Sequence, residues 1–116
     1  MRGKGGNTLI EMFKALSEES RLRILALLLE EEMCVCEIEA SLKMTQSNAS
    51  RHLSELRKSG ILESYKNAQW TYYRINEMFK KEHKELWNYL QIKLKEIPTY
   101  EADYKTYKIV KAQNLC

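Results

Sequence analysis

The sequence predicts a mainly α-helical fold that carries a single β-hairpin. Three observations lead to this prediction. Apolar residues recur at helical spacing through most of residues 8–58 and again after residue 76. Residues 61–66 and 70–75 are instead rich in aromatic and β-branched side chains, which is typical of strands. Only three residues separate these two runs, so they are close enough to pair as a hairpin.

Length and composition limit the class of protein. A chain of 116 residues with 44% apolar and 30% charged residues is long enough for one small domain. The longest aliphatic run, residues 24–29, is too short to cross a bilayer, and no apolar segment of signal-peptide length follows the basic N-terminus. We therefore expect a cytoplasmic protein with no membrane partner. In that compartment its three cysteines are expected to be inert, redox-active or metal-binding rather than structural disulfides.

The middle of the chain has the pattern of two helices joined by a tight turn. One helix is expected over 36–43 and the next over 46–58, with Thr45 as N-cap and Gly60 as the residue that ends it. So short a connection is typical of a helix-turn-helix. A hairpin that follows directly makes the order that of a winged helix-turn-helix, with five helices and a two-stranded wing.

The other segments of the chain also carry local signals. Residues 21–29 are apolar on most faces and are expected to form the core helix, which the acidic run Glu30–Glu32 ends in water. Asn67, in the hairpin connection, is expected to take the left-handed conformation. Asn76 is expected to cap one long helix that Pro98 stops and that offers a surface for dimerisation.

The predicted division of the chain is into two parts. Residues 1–98 are expected to form the winged helix-turn-helix domain, which binds DNA and dimerises. Residues 99–116 are expected to form a C-terminal tail, either helical or partly disordered, that carries Cys116.

The charge is concentrated in the helix-turn-helix and hairpin. Residues 43–75 contain six basic and two acidic residues, a net charge of +4, whereas the whole chain carries +3. Local positive charge of this kind suits contact with phosphates, although an ordinary solvated face has the same composition.

These segments together resemble the ArsR/SmtB family of winged-helix repressors, which sense metals and metalloids. The resemblance extends from about Phe13 to Ile75. The residues that carry it are Ala15-Leu16-Ser17, Arg21-Leu22-Arg23-Ile24-Leu25, Met33-Cys34-Val35-Cys36-Glu37-Ile38, Thr45-Gln46-Ser47-Asn48-Ala49-Ser50-Arg51-His52-Leu53, Leu56-Arg57-Lys58-Ser59-Gly60-Ile61-Leu62 and Trp70-Thr71-Tyr72-Tyr73-Arg74-Ile75. The resemblance implies a homodimeric repressor, rather than an enzyme, that sits on an inverted-repeat operator in double-stranded DNA until an inducer releases it.

The second helix of the motif is expected to read the major groove with the side chains near its N-terminus. The hairpin tip is expected to reach the adjacent minor groove or the backbone. The residues predicted to contact DNA are Thr45, Gln46, Ser47, Ser50, Arg51, Lys66, Asn67 and Gln69.

The Cys34-Val35-Cys36 element resembles the branch of the family that binds arsenite, antimonite or soft heavy cations. Thiolates suit soft ions, and a helix N-terminus favours the thiolate anion. As(III) or Sb(III) prefers three thiolates, but the position where one known pattern places a third cysteine is Glu39. Cys116, from the same chain or from a partner, is the remaining candidate for the third ligand. No cofactor besides the inducer is expected.

Several alternatives remain open at this point. Cd(II) or Pb(II) is the second choice of inducer, although residues 1–33 lack the cysteines that such sensors usually have. A thiol redox switch that uses the cysteine pair is another alternative, and inert cysteines are a third. Side chains two residues apart point about 200° apart in a regular helix. We therefore expect that both sulfurs bind one ion only if the start of the helix unwinds or shifts.

Overall fold

The computed structural model describes residues 8–114 and has the architecture of a winged helix-turn-helix. The fold class predicted from the sequence is therefore confirmed. The helices are α1 (Thr8–Leu16), α2 (Glu19–Leu28), α3 (Val35–Leu42), α4 (Gln46–Lys58), α5 (Glu77–Glu82), α6 (Lys84–Lys93) and α7 (Tyr100–Gln113), with a 3-10 turn at Leu94–Glu96. The strands are β1 (Met33–Cys34), β2 (Leu62–Asn67) and β3 (Trp70–Ile75).

Helix α2 is the centre of the core, as its apolar composition predicts. Ile24, Leu25 and Leu27 are each at most 1% exposed, and α4 contributes Leu53 and Leu56 at 0%. Complete burial of one such side chain stabilises the fold by about 1.5–3 kcal/mol. This packing fixes the inner face of α4 and leaves its opposite face in solvent.

Local signals define both ends of α4. The Thr45 hydroxyl accepts a hydrogen bond from the Asn48 amide at 3.2 Å, as expected of an N-cap. At the other end Gly60 has a φ of 87°, and the amide of Ile61 donates to the carbonyl of Leu56 at 3.1 Å. This is the hydrogen-bond pattern of a Schellman motif. Because the motif reverses the chain sharply, β2 begins directly after the helix.

The sheet contains a strand that sequence analysis did not predict. Its order is β1-β3-β2 with antiparallel pairs, and Cys34 of β1 lies opposite Tyr72 of β3. A strand of two residues has no periodicity of its own, so only the tertiary contact reveals it. The strand attaches the start of α3 to the wing.

Two local expectations are wrong. The left-handed residue of the hairpin turn is Ala68, with a φ of 59°, and not Asn67, which still belongs to β2. The expected long helix after Asn76 is interrupted at His83, whose φ and ψ of −126° and 50° are not helical. Asn76 does cap α5, because its side chain accepts a hydrogen bond from the Met78 amide at 2.9 Å.

Helix α7 packs against α2 and α3 rather than extending away from the domain. Asp103 receives two hydrogen bonds from the Arg23 guanidinium, at 2.8 and 2.9 Å, and Tyr107 is 5% exposed. In residues 8–114 no helix has both the length and the apolar character needed to span a membrane. Cys116 lies outside the described residues.

Candidate nucleic-acid interface and thiol site

The first two turns of α4 present a polar surface, as the sequence predicts. Gln46, Ser47 and Ser50 are exposed, while Ala49 on the opposite side is fully buried. Arg51 is also exposed, and its guanidinium lies 4.0 Å from the Glu18 carboxylate. These side chains are therefore accessible to a partner that approaches the N-terminal half of the helix.

A buried polar contact fixes α4 from its inner side. The Arg21 guanidinium donates from Nε to Nδ1 of His52 at 3.1 Å, and both side chains are less than 10% exposed. Glu18 closes the cluster with a 3.0 Å ion pair to Arg21. Burial, followed by the charge of neighbouring Arg51, lowers the pKa of His52. His52 is therefore a neutral acceptor that covers the core, and it does not extend outward as a phosphate contact.

The tip of the hairpin is exposed and carries the three residues predicted there. Lys66, Asn67 and Gln69 are all solvent-accessible. Behind them Tyr65 and Tyr72 stack at 5.5 Å, and the Arg74 guanidinium lies 5.1 Å above the Tyr65 ring. Stacked cross-strand pairs of this kind stiffen a two-stranded ribbon.

The two sulfur atoms of the cysteine pair lie side by side. Cys34 is the N-cap of α3, with φ and ψ of −80° and 156°, whereas Cys36 lies inside the first helical turn. Because Cys34 has an extended backbone, the 200° separation of a regular helix does not apply. The Sγ atoms approach to 2.7 Å. The expectation that the helix must unwind to bring the sulfurs together is therefore wrong.

The cysteines open onto a cleft of about 500 Å³ that other functional segments share. Its walls come from the start of α3, from the outer face of α4 and from β3. The residues that line the cleft are Cys34, Val35, Cys36, Glu39, Gln46, Ser50, Trp70, Thr71 and Tyr73. The cysteine pair and two residues of the predicted DNA-reading face thus border one space.

Three donors are not brought together at this site within residues 8–114. In that range no cluster of three His, Cys, Asp or Glu side chains has metal-binding geometry. Glu39 lines the cleft, but a carboxylate is a poor ligand for a soft ion. Asp103, the one Asp in the sequence, is paired with Arg23. The assignment of Cys116 as third ligand stays a prediction.

Glu37 supports Cys34 and was not predicted from the sequence. One Glu37 carboxylate oxygen accepts a hydrogen bond from the Cys34 amide at 3.0 Å, and the side chain is 8% exposed. The signal was present, because Cys34-x-x-Glu37 has the spacing of a capping box with Cys in place of Ser or Thr. Trp70 and Tyr73 were also missed as cleft residues, since no local pattern places β3 beside α3.

The fold and these surfaces define the class of protein as a winged helix-turn-helix with a cysteine pair at the start of its first motif helix. A sequence profile described as "Bacterial regulatory protein, arsR family" matches residues 18–64. The uncharacterized HTH-type transcriptional regulator MJ1325 of Methanocaldococcus jannaschii is 44% identical over 76 residues, which cover 60% of this chain and 85% of that protein. The chain therefore belongs to the arsR family, a family of regulatory proteins and not of enzymes.

Two other similar proteins have more specific names. The arsenic resistance transcriptional regulator ArsR1 of Pseudomonas putida is 42% identical over 66 residues, 56% of this chain. This chain spans only about half of that relative, 52% of its length. The solution structure of Mb0332 from Mycobacterium bovis is described as a homodimeric winged helix-turn-helix DNA-binding domain of a possible ArsR-family transcriptional regulator. It has a TM-score of 0.64 at 26% identity, over 84% of this chain and 97% of that one.

Proposed function

We propose that this protein is a homodimeric, cytoplasmic transcriptional repressor that binds an inverted-repeat operator in double-stranded DNA. As(III) or Sb(III) binds the thiolates of Cys34 and Cys36 and releases the protein from DNA. One observation carries the proposal: the two sulfurs share a cleft with Gln46 and Ser50 of α4. The name of the P. putida relative, an arsenic resistance regulator, supports the choice of inducer.

The shared cleft supplies a physical route from the inducer to DNA. An ion bound at the sulfurs brings new ligands and charge into a space that α4 borders. Any shift of α3 that accommodates the ion also moves the first turn of α4, because only three residues separate the two helices. Coupling between two sites of this kind is typically worth about 1–3 kcal/mol, or about a 5- to 150-fold change in affinity.

The residues proposed to contact DNA lie on two neighbouring surfaces of the domain. The polar side chains of α4 enter the major groove, where Gln46 pairs with an adenine edge and Arg51 with guanine or a phosphate. The hairpin tip contacts the adjacent minor groove or the DNA backbone. The proposed contacts are Thr45, Gln46, Ser47, Ser50, Arg51, Lys66, Asn67 and Gln69.

The direction of α7 supports Cys116 as a third ligand. Lys111, in the last turn of α7, lies 3.7 Å from Glu37 in the first turn of α3. The end of α7 is therefore close to the helix start that bears the cysteines. Only three residues follow the last helical residue, Gln113, and they reach at most about 10 Å; within that reach we propose that Cys116 completes the site, from its own chain or from a partner.

Apolar side chains on α6 support the proposed homodimer. Tyr89 and Ile92 are 58% and 63% exposed and lie three residues apart, on one face of the helix. Exposed apolar residues that form one face favour an interface. The description of the M. bovis neighbour as homodimeric supports a dimer here.

DNA binding followed by fluorescence anisotropy tests the proposal. The probe is a duplex from the promoter of the protein's own gene, titrated with arsenite, antimonite, Cd(II), Pb(II) and Zn(II). Arsenite or antimonite is expected to weaken binding by about 5- to 150-fold in the wild type but not in Cys34→Ser/Cys36→Ser. Release in the wild type but not in Cys116→Ser places Cys116 in the site. Release by Cd(II) or Pb(II) alone assigns a different inducer, and a complete lack of release refutes the proposal.

A second candidate function is a thiol redox switch, which the adjacent positions of the two sulfurs favour. Peroxide would take two electrons and two protons from Cys34 and Cys36, leaving a disulfide and two water molecules. The same DNA titration with peroxide, before and after addition of dithiothreitol, tests this candidate. Reversible release by peroxide with no response to arsenite would replace the metalloid by an oxidant as the signal.

A further inference from the structure

Lys111 connects the C-terminal helix to the start of α3. Its Nζ atom lies 3.7 Å from one carboxylate oxygen of Glu37 and 3.4 Å from the Glu31 carboxylate. The other Glu37 oxygen accepts the hydrogen bond from the Cys34 amide. One carboxylate thus links a lysine of α7 to the backbone of a residue that lines the thiol cleft.

Glu37 holds the backbone from which the Cys34 side chain extends. Cys34 is 1% exposed and occupies the position at which β1 passes into α3. Its backbone dihedrals set the direction of its side chain toward Cys36, and the Glu37 carboxylate holds that amide. A carboxylate that is only 8% exposed needs a counter-charge to stay in this position, and Lys111 supplies it.

We propose that Lys111 is a positioning residue for the thiol site. It holds the Glu37 carboxylate against the Cys34 amide and so keeps the Cys34 sulfur directed at Cys36. This role deepens the proposed function, on which its second readout rests. It also gives α7, which lies outside the helix-turn-helix, a part in how the protein responds to its inducer.

Further contacts of α7 keep Lys111 beside the first turn of α3. Tyr107, one turn earlier in α7, donates a 2.5 Å hydrogen bond to the same Glu31 carboxylate that Lys111 contacts. This hydrogen bond, followed by the positive charge of Lys111, lowers the pKa of Glu31. Asp103 and Arg23 fix the first turn of α7 through their paired hydrogen bonds. Helix α7 is therefore anchored along its length, and Lys111 does not depend on its own ion pairs for its placement.

Lys111→Met removes the charge and keeps most of the side-chain volume. Lys111→Arg is the rescue variant, because it restores a cation at the same position. Lys108→Met is the matched control on the same helix, where Nζ lies 5.2 Å above the Tyr104 ring.

The first measurement is amide hydrogen exchange at Cys34 by NMR in the full chain, without any metalloid. Lys111→Met is expected to accelerate this exchange at least about 5-fold, the effect of losing one ordinary hydrogen bond. Lys108→Met and Lys111→Arg are expected to stay close to the wild type. Exchange at Cys34 that is the same in Lys111→Met as in the wild type overturns the inference.

The second measurement compares arsenite affinity with DNA affinity in the inducer-free protein. Arsenite binding is followed by the fluorescence of Trp70, which lines the cleft, in a Trp87→Phe background. Lys111→Met is expected to weaken arsenite binding about 10-fold, because loss of a residue that orients a metal ligand typically lowers affinity by at least that factor. DNA binding is expected to stay unchanged. An equal loss of both affinities indicates general destabilisation and contradicts the inference. A wild type that binds no arsenite refutes the proposed function, while the exchange result still decides the role of Lys111.

Discussion

Ala68 holds a backbone conformation that L-residues with a side chain usually avoid. Its φ of 59° lies in the left-handed region, which costs a residue with a Cβ atom about 1–2 kcal/mol. Asn67 and Trp70 pair across the hairpin, and a two-residue connection of this kind favours turns with a positive φ at the first central residue. The turn of the wing therefore contains backbone strain at Ala68 that a glycine at this position would not have.

Ala68→Gly is expected to raise the free energy of unfolding by about 0.5 kcal/mol, because relief of the left-handed strain exceeds the entropy cost of glycine. Urea denaturation followed by circular dichroism measures the change. Ala102→Gly, which places the same substitution on the exposed face of α7, is the control and is expected to lower stability by up to about 1 kcal/mol. Destabilisation by both substitutions would contradict the strain at Ala68.

His52 makes the packing of α4 sensitive to pH. Burial and the nearby Arg51 and Arg21 charges lower its pKa from the ordinary histidine value, while the Glu18 carboxylate opposes the shift. In the unfolded chain the histidine binds a proton as the pH falls through about 6.5. In the folded protein it binds that proton only at a lower pH. The contribution of His52 to the free energy of unfolding is therefore fully present above about pH 6.5, and it is lost progressively as the pH falls below that value.

His52→Gln is expected to flatten the fall in stability between about pH 6.5 and 5, since glutamine keeps an acceptor for Arg21 and does not titrate. Thermal unfolding across this range measures the slope. The hydrogen bond from Tyr107 lowers the pKa of the Glu31 carboxyl below its usual range. Glu31 therefore affects the pH dependence of stability only at a pH below the range measured here. An unchanged slope in His52→Gln would show that another group titrates.

At the scale of elements, the acidic run before β1 joins three parts of the fold. Sequence analysis expected Glu30–Glu32 only to end α2 in water. Instead Glu30 and Glu31 accept hydrogen bonds from Tyr100 and Tyr107 of α7, while Glu32 accepts one from Tyr65 of the wing. The segment that leads to Cys34 is therefore held by the C-terminal helix on one side and by the hairpin on the other.

Asp103→Asn is expected to lower the free energy of unfolding by about 2 kcal/mol. The substitution removes the charge from a bidentate pair with Arg23, and both partners are mostly buried. Urea denaturation measures the loss, and hydrogen exchange locates it in α7. Glu101→Gln, at an exposed position of the same turn, is the control and should change stability by less than about 0.5 kcal/mol. A comparably small effect at Asp103 would mean that apolar packing alone holds α7.

At the scale of the whole molecule, a single chain leaves apolar side chains in solvent. Tyr89 and Ile92 form such a surface on α6, and Phe13 of α1 is also 52% exposed. A domain of this size has a small core, so a second copy that covers these residues would add substantially to its stability.

Ile92→Glu is expected to convert the proposed dimer into a folded monomer, because it places a charge in an apolar contact. Analytical ultracentrifugation at micromolar concentration measures the association state, and circular dichroism checks the fold. Gln91→Glu adds the same charge at the neighbouring exposed position and is expected to remain dimeric. An Ile92→Glu protein that still sediments as a dimer would exclude this face of α6 from the interface.

Much of the helix-turn-helix was predictable because its signals are local. Thr45, Asn76 and Gly60 each satisfy backbone groups within a few residues of themselves, so the side chain alone indicates the helix end. The inward positions of Leu53 and Leu56 likewise follow from helical spacing. The polar surface of α4 follows in turn, since it is the opposite face of the same helix.

The sequence by itself determined the winged helix-turn-helix, its outward polar surface and the presence of a cysteine pair at the start of α3. The tertiary structure alone decided that β1 pairs with β3, that the cysteines border a cleft shared with β3, and that Lys111 reaches Glu37. The physical reason is distance along the chain. Helix caps and periodicity act over fewer than about five residues, whereas the contacts that assemble the thiol site join residues 38 to 74 positions apart, and no local pattern encodes them.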